Sequence, residues 1–368
     1  MAEASSEKEK IQQRQADLQN WFHEILPTVA PTTNVNANEI VMGPLSGDAS
    51  FRRYFTVSHD NRIYVLVDAP PLQEDSRTFV QVAESFSSAG INVPEIYAVD
   101  YDRGFMCISF LGTTLLWEKL QTLKAGNHFS DANLVYKHAF EILLKIQGIS
   151  VNSGMILPPF DGGMLQSEMD LFREWFCSGI MGLTLTNSDN VLLDHYFEIL
   201  VDAAVSQQQV CVHRDYHSRN LTYQDDGNFG VLDFQDAVVG PITYDLVSLI
   251  KDCYVSWPRP LIREWALQYA NMAQTAGIID SFRDEDFLFS FDMMGVQRHL
   301  KATGIFARLY LRDGKPGYLA DIPRTLAYIK EVLGEYPDMY GFGTWLEKNI
   351  YPMLVTRLNN ILNRKSSQ

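Results

Sequence analysis

The sequence predicts an α+β chain built as two lobes: a small antiparallel-sheet lobe with one helix, then a larger helical lobe. Three observations carry this. Residues 38–112 hold short β-rich runs separated by turn residues, and from about residue 113 the chain is dominated by helical periodicity. One interval of strand and turn signals, Val210 to Val239, breaks into that helical part. A length of 368 residues, with no low-complexity interval to cut it, suits two intimately packed lobes rather than independent domains of ~150 residues each.

The elements follow in order. Residues 5–26 read as an amphipathic helix, because Leu18, Trp21, Phe22, Ile25 and Leu26 recur at i, i+3, i+4, i+7 and i+8. This helix, with a linker in 1–37, is expected to strap onto a lobe. The runs Phe51 to Val57, Ile63 to Val67 and Phe105 to Phe110 read as strands of a five-stranded sheet, with a turn at Ser58-His59-Asp60-Asn61. A helix from Ser76 to Ala89 ends at Gly90, the usual residue past a helix C-terminus. After the boundary near 112, helices are predicted at Ala132 to Gln147, Glu168 to Ser178, Val191 to Gln207, Arg263 to Gly277, Phe287 to Leu311 and Ile322 to Leu333. A helical lobe (113–368) with a polar, motif-bearing loop region in its middle points to a cleft.

Composition narrows the class. With 46% hydrophobic and 12% aromatic residues the chain can bury a large core, which excludes a disordered or fibrous protein. Thirty Lys and Arg against forty-five Asp and Glu give a net charge of -15, which repels nucleic acid and anionic membrane. Neither partner is expected. Cys107, Cys177, Cys211 and Cys253 lie far apart with no C-x-x-C pair, so they read as buried thiols of a reducing compartment. MAEASSEKEK lacks the apolar core of a secretory signal, and no run of ~18 apolar residues occurs. A cytoplasmic chain is expected, with a monomer favoured.

The strongest chemical signal is CVHRDYHSRNLTYQDDGNFGVLDFQD, residues 211–236, which reads as strand, polar loop, short strand, turn at Asp226-Gly227, strand and loop. Asp215 and Asn220 form an H-x-D-x-x-x-x-N with His213, and Asp233 follows in an apolar setting. Phosphoryl transfer needs such a set: a carboxylate to accept the proton of a hydroxyl, and an amide oxygen with a second carboxylate as hard ligands for Mg2+. Asp215 is the candidate base; Asn220 and Asp233 are the candidate metal pair. No nucleophilic Cys or Ser motif competes, so catalysis would be mostly positioning and charge neutralisation.

At these residues the chain resembles the aminoglycoside phosphotransferase and choline kinase-like superfamily, whose Brenner-type motif and following acidic metal ligand match His213, Asp215, Asn220 and Asp233. The resemblance covers most of the chain. It implies a bilobal protein-kinase-like fold, ATP and Mg2+ as cofactors, and a small-molecule acceptor. Asp245, in Gly240-Pro241-Ile242-Thr243-Tyr244-Asp245-Leu246, resembles the superfamily aspartate that holds the catalytic loop. Asp252, further along the same predicted helix, is a candidate for binding a substrate hydroxyl, and Arg219 for contacting substrate or phosphate. His213 is expected to support the loop.

In the first lobe, Ser46, Gly47 and Asp48 form a small-residue turn before a strand, where backbone N–H groups can approach nucleotide phosphates. The kinase pattern requires a lysine on the third strand, but Tyr64-Val65-Leu66-Val67-Asp68 has none. Arg52 and Arg53 are the nearest replacements. Strand alternation points them to opposite faces, and the sequence leaves open which one faces the nucleotide. Glu84 is a candidate partner for the chosen arginine. Met106 to Gly112 resembles a kinase hinge, with main-chain groups of Ser109 and Leu111 offered to adenine.

In residues 291–319, Arg298, Lys301, Arg308 and Arg312 make one cationic stripe if the helix survives Gly304. Arg298 and Lys301, nearer the helix start, are candidates to bind an anionic group. The strings SGDASFRRYF, DAPP and QRHLKATGIFARLYLRDGKPGYLADIPRTLAYI are similar to those of the anomeric N-acetylmuramate and N-acetylglucosamine kinases of bacterial cell-wall recycling. That resemblance implies an amino-sugar 1-phosphate as product. Two rivals stay open: a kinase for a cationic alcohol such as an aminoglycoside or choline-like compound, and a nucleotide-binding pseudokinase.

Overall fold

The computed structural model describes residues 2–31, 41–45, 51–150, 157–224 and 227–365. They fall into two compact units, Met1–Thr114 with Thr222–Gln235, and Leu115–Leu221 with Asp236–Gln368.

The first unit opens with α1 (Ala2–Val29), then β1 (Met42–Leu45), β2 (Arg53–His59), β3 (Arg62–Asp68), α2 (Ser76–Ser88), β4 (Ile96–Asp100) and β5 (Phe105–Ser109). The five strands form one sheet in the order β1-β2-β3-β5-β4, antiparallel throughout. The apolar stripe of α1 covers one sheet face: Leu18, Trp21, Phe22 and Leu26 are buried against Phe55, Tyr64 and neighbouring side chains. The predicted strap is therefore present. β2 starts at Arg53 rather than Phe51, which is exposed, because its partner β3 ends at Asp68. Ala69-Pro70-Pro71 follows, and prolines donate nothing to a ladder. Helix α2 is capped by Asp75, whose carboxylate accepts from the Arg77 N–H at 2.9 Å, and it buries Phe79 and Phe86 against Phe234, with ring centroids 4.9 and 5.8 Å apart.

The second unit begins with α3 (Leu116–Ala125), α4 (Phe129–Gln147), α5 (Gly162–Leu171), a π-helical stretch (Phe172–Ile180), α6 (Asn187–Val205) and β6 (Gln209–Val212). The chain then supplies β7 (Leu221–Tyr223) and β8 (Phe229–Val231), paired with each other, and Val231 N–H donates to the Asn92 carbonyl at 2.8 Å within the first unit. Gly227 has φ +84°, as a turn there requires; Asp226 lies outside the described residues. β9 (Val238–Pro241) pairs with β6, and α7 (Thr243–Ile250), α8 (Arg259–Thr275), α9 (Asp284–Leu311), α10 (Ile322–Leu333), α11 (Tyr340–Asn349) and α12 (Tyr351–Lys365) complete the unit.

Helix α9 is buried almost all round between Phe291 and Gly304, so its sequence reads as a core helix rather than a one-sided amphipathic one. It passes through Gly304 unbroken. A Cβ at Gly304 would fall 2.4 Å from the carbonyl carbon of Leu171, so only glycine lets α9 lie against α5 there. Among the described residues no helix is long and apolar enough to cross a membrane.

Candidate active site

The loop between β6 and β7 is held at both ends by buried carboxylates. Asp245 on α7 accepts the His213 N–H at 2.7 Å and the Arg214 N–H at 3.0 Å. Arg214 has φ +74°, a left-handed conformation unfavourable for a side chain with a Cβ, and this double acceptor helps to hold it. Burial pushes the Asp245 carboxyl up to about 7 against those two donors. At the other end Asp252 accepts the Ser218 N–H at 3.1 Å and the Ser218 hydroxyl, while its second oxygen takes the Tyr254 N–H at 2.9 Å. Helix α7 ends at Ile250, so Asp252 sits just beyond it rather than along it. Between these anchors the Asp215 carbonyl accepts from the His217 N–H at 3.0 Å and from Asn220 Nδ2 at 3.1 Å, closing the loop on itself.

Asp215 is partly buried, and among the described residues its carboxylate makes no side-chain hydrogen bond. Burial raises its pKa, but Lys301, His217, Arg298 and Arg214 outweigh burial and bring it down to about 2. It is a carboxylate at every physiological pH. It lines a cleft open to solvent, with His217, Asp252, Cys253, Tyr254, Arg298 and Lys301. Ala302, Ile305 and Phe306 of α9 give the cleft an apolar side.

Behind the cleft Lys301 Nζ lies 3.1 Å from Glu168 and 2.8 Å from the Tyr244 hydroxyl, and Arg214 lies 2.7 Å from the same Glu168 oxygen. Burial opposes ionisation of Glu168, yet Lys301 and Arg214 hold its pKa below the usual value. Sequence reasoning missed Glu168, His217 and Ser218. Glu168 is one carboxylate on an ordinary helix pattern, and nothing local marks it as the partner of a residue more than a hundred positions away. The expected cationic stripe divides: Arg298 and Lys301 are buried at the cleft, Arg308 is half-buried, and Arg312 is exposed and paired with Asp313 at 2.6 Å. Arg219 is outside the cleft lining, its guanidinium 3.7 Å from the Tyr254 ring centroid and 5.3 Å from that of Trp117.

The metal candidates suit a hard cation. Asn220 uses its amide nitrogen on the Asp215 carbonyl, which turns its amide oxygen the other way. In the first unit Asp233 has φ +62°, a left-handed conformation for a non-glycine residue, and accepts from Gln235 Nε2 at 2.8 Å. One amide oxygen and one carboxylate are the donors Mg2+ takes alongside phosphate oxygens.

The remaining candidates lie in the first unit. Arg53 is on the face covered by α1; it pairs with Asp68 and donates to the Ile11 carbonyl at 3.2 Å. Arg52 is on the other face, 6% exposed, 3.0 Å from Glu74 and 5.6 Å from the Phe79 ring centroid. Its partner is thus Glu74 and not Glu84, which is exposed on α2; a helix side chain on the outer face cannot reach back to the sheet. Beside Arg52, Tyr54 is pushed up to about 12 by burial, Arg52 opposing and Asp233 and Glu74 adding to the rise. The main-chain N–H of Ser109 donates to the Glu95 carbonyl at 2.8 Å and its hydroxyl accepts the Glu95 N–H at 2.9 Å, so that N–H is already used within the sheet. Leu111 packs close to Gly230. Ser46, Gly47 and Asp48 lie outside the described residues.

A model of the phosphotransferase enzyme family matches residues 42–283. A protein of Pseudomonas putida named N-acetylmuramate/N-acetylglucosamine kinase is 44% identical over 298 residues, 81% of this chain and 85% of its own length. A protein of the same name from Pseudomonas aeruginosa is 42% identical over 303 residues, 82% of this chain and 87% of its own. Among solved structures, the ADP-bound aminoglycoside phosphotransferase APH(2'')-Ib superposes with a TM-score of 0.54 at 15% identity, covering 83% of this chain and 97% of that one, a likeness of fold.

Proposed function

The chain belongs to the phosphotransferase enzyme family, and from that premise we propose that this ATP-dependent small-molecule kinase phosphorylates the anomeric hydroxyl of an amino sugar. N-acetylmuramate and N-acetylglucosamine are the proposed acceptors, a sugar 1-phosphate the product, and cytoplasmic peptidoglycan recycling the setting. The observation that carries the reading is Asp215: an ionised carboxylate without a side-chain hydrogen bond, on a loop pinned at both ends, facing a solvent-open cleft. The close relatives named for these two sugars supply the acceptor class.

In this reading Asp215 orients the acceptor hydroxyl and takes its proton as the new P–O bond forms, a late event in a loose phosphoryl-transfer transition state that asks for a placed carboxylate more than a strong base. Asn220 and Asp233 hold Mg2+, which when bound neutralises charge on the phosphates; this pairing rests on the sequence spacing and on their donor chemistry. Arg52 is the proposed substitute for the third-strand lysine, since Arg53 is consumed by Asp68 on the α1 face. Ser46, Gly47, Asp48 and main-chain groups near Ser109 and Leu111 are proposed to serve the nucleotide, and Asp252, Arg298 and Lys301 the acceptor side, with Arg219 outside the lining and stacked on its Tyr254. Asp252 would act there through Ser218, to which it is already bonded. A cationic acceptor is disfavoured, because it would share the cleft with Arg298, a cation with no carboxylate within 4.0 Å among the described residues.

Incubation with Mg2+-ATP and N-acetylmuramate, N-acetylglucosamine, choline or an aminoglycoside, with products read by phosphorus NMR, tests this. The expected result is phosphate on C1 of an amino sugar. Transfer only to a cationic alcohol, or to another sugar position, refutes it.

A further inference from the structure

The two cations of the acceptor cleft are not equivalent. Lys301 is paired, with Glu168 at 3.1 Å and the Tyr244 hydroxyl at 2.8 Å. Arg298, one turn earlier on α9, is 6% exposed and lines the cleft, yet among the described residues no carboxylate lies within 4.0 Å of its guanidinium. Its buried Nε has no hydrogen-bond partner, and its nearest aromatic face, Tyr244, has its ring centroid 5.9 Å away. A guanidinium cannot shed its proton to escape burial, and a buried charge without a partner is costly. The negative field of Asp215 and Asp252 favours the charge but puts no oxygen against the fork. Such a group is completed by an oxyanion brought by a ligand, and its planar donors suit a carboxylate bidentately.

Resting on the amino-sugar reading above, we propose that Arg298 is the seat for the carboxylate of the acidic acceptor, and so the residue that sets the preference for the acidic over the neutral sugar. N-acetylmuramate carries a lactyl ether carboxylate where N-acetylglucosamine has a hydroxyl; the rest of the ring is shared. Lys301, held by Glu168 and Tyr244, contributes field at Asp215 and no direct contact to that carboxylate. A stationary carboxylate also fits a permanently buried cation better than the transferred phosphoryl group, which passes through once per turnover.

The test compares N-acetylmuramate with its methyl ester, which keeps ring and ether but removes the charge, on full-length wild-type protein and on Arg298→Met and Arg298→Lys. In the wild type the ester is expected to lose about tenfold or more in kcat/KM, mostly through KM. In Arg298→Met the acid-to-ester ratio should collapse to about twofold or less, with Arg298→Lys between, because it keeps charge but not the fork. Equal wild-type kcat/KM for acid and ester overturns the proposal, and that arm decides even if Arg298→Met does not fold. An Arg298→Met loss that falls on kcat alike for acid, ester and N-acetylglucosamine, leaving the ratio unchanged, also overturns it and assigns the guanidinium to the phosphoryl group. Turnover of neither sugar sinks the amino-sugar reading instead; calorimetric titration of acid and ester onto the nucleotide-free protein then reads the seat separately, equal affinities overturning it and a carboxylate-dependent affinity lost in Arg298→Met supporting it.

Discussion

Asp68 and Asp215 are both surrounded by basic side chains, and their pairings differ. Asp68, fully buried in the sheet unit, is held directly by Arg14 from α1 and Arg53 from β2, with Nε to oxygen distances of 3.0 and 2.9 Å. The spare donors are used as well: Arg14 reaches the Arg103 carbonyl at 2.9 Å and Arg53 the Ile11 carbonyl at 3.2 Å. That cluster is closed. Asp215, in the helical unit, feels Lys301, His217, Arg298 and Arg214 without a side-chain hydrogen bond to any of them, beside an open cleft, and one of those cations has no counter-ion within reach. A ring of opposite charge therefore does not distinguish a site from a clamp. What distinguishes them is whether the pairing closes within the protein or leaves a charge facing a space that a ligand can enter.

The sharpest way to break the comparison is to neutralise each carboxylate. Asp215→Asn keeps the shape of the side chain and removes its charge and basicity; kcat should fall by about 10²- to 10⁴-fold, with nucleotide affinity retained in a binding titration. Near wild-type turnover would remove Asp215 from the role of base. Asp68→Asn should act on stability instead, costing about 3 to 5 kcal/mol because two arginines lose a buried partner, measured by urea unfolding. Arg14→Met should lower stability by less, since Arg53 remains, with kcat/KM in the folded protein within about twofold of wild type. A change in kcat comparable to that of Asp215→Asn would show that the Asp68 cluster is not merely a clamp.

The smallest expected effect sharpens the view of α9. His299, one residue after Arg298, is buried, its ring Nε2 2.9 Å from the Lys251 carbonyl, and burial lowers its pKa to about 3. A depressed pKa means the unfolded chain binds the proton first, so the stability His299 contributes is present above pH ~6.5 and is lost as pH falls toward 3. Melting temperature should therefore drop less between pH 7 and pH 4 in His299→Gln than in the wild type. An identical slope in the two proteins would show that His299 does not titrate in this way.

Much of the candidate site was legible because its residues lie close together in the chain. His213, Asp215 and Asn220 lie within eight consecutive positions, and such a loop between two short strands brings its own members together whatever surrounds it. Helix positions were legible where apolar spacing is regular: α10 runs Ile322–Leu333 as read. The π-helical stretch after α5 was not: its apolar spacing reads as ordinary helix and does not mark the wider turn.

Residue type and spacing alone determined the two-lobed α+β class, the H-x-D-x-x-x-x-N loop with its following aspartate, the strapping helix and the absence of a third-strand lysine. These are short-range properties: periodicity selects the element, and a few neighbouring side chains state the chemistry. Which of Arg52 and Arg53 is consumed was decided only when α1 packed on one face of the sheet and carried Arg14 to Asp68. Likewise Lys301 and Arg298 are equal cations in the sequence. Glu168, 133 positions from Lys301 in the chain, reaches Lys301 and not Arg298 because Gly304 lets α9 close onto α5, and charge pairing depends on distances that only the folded chain sets.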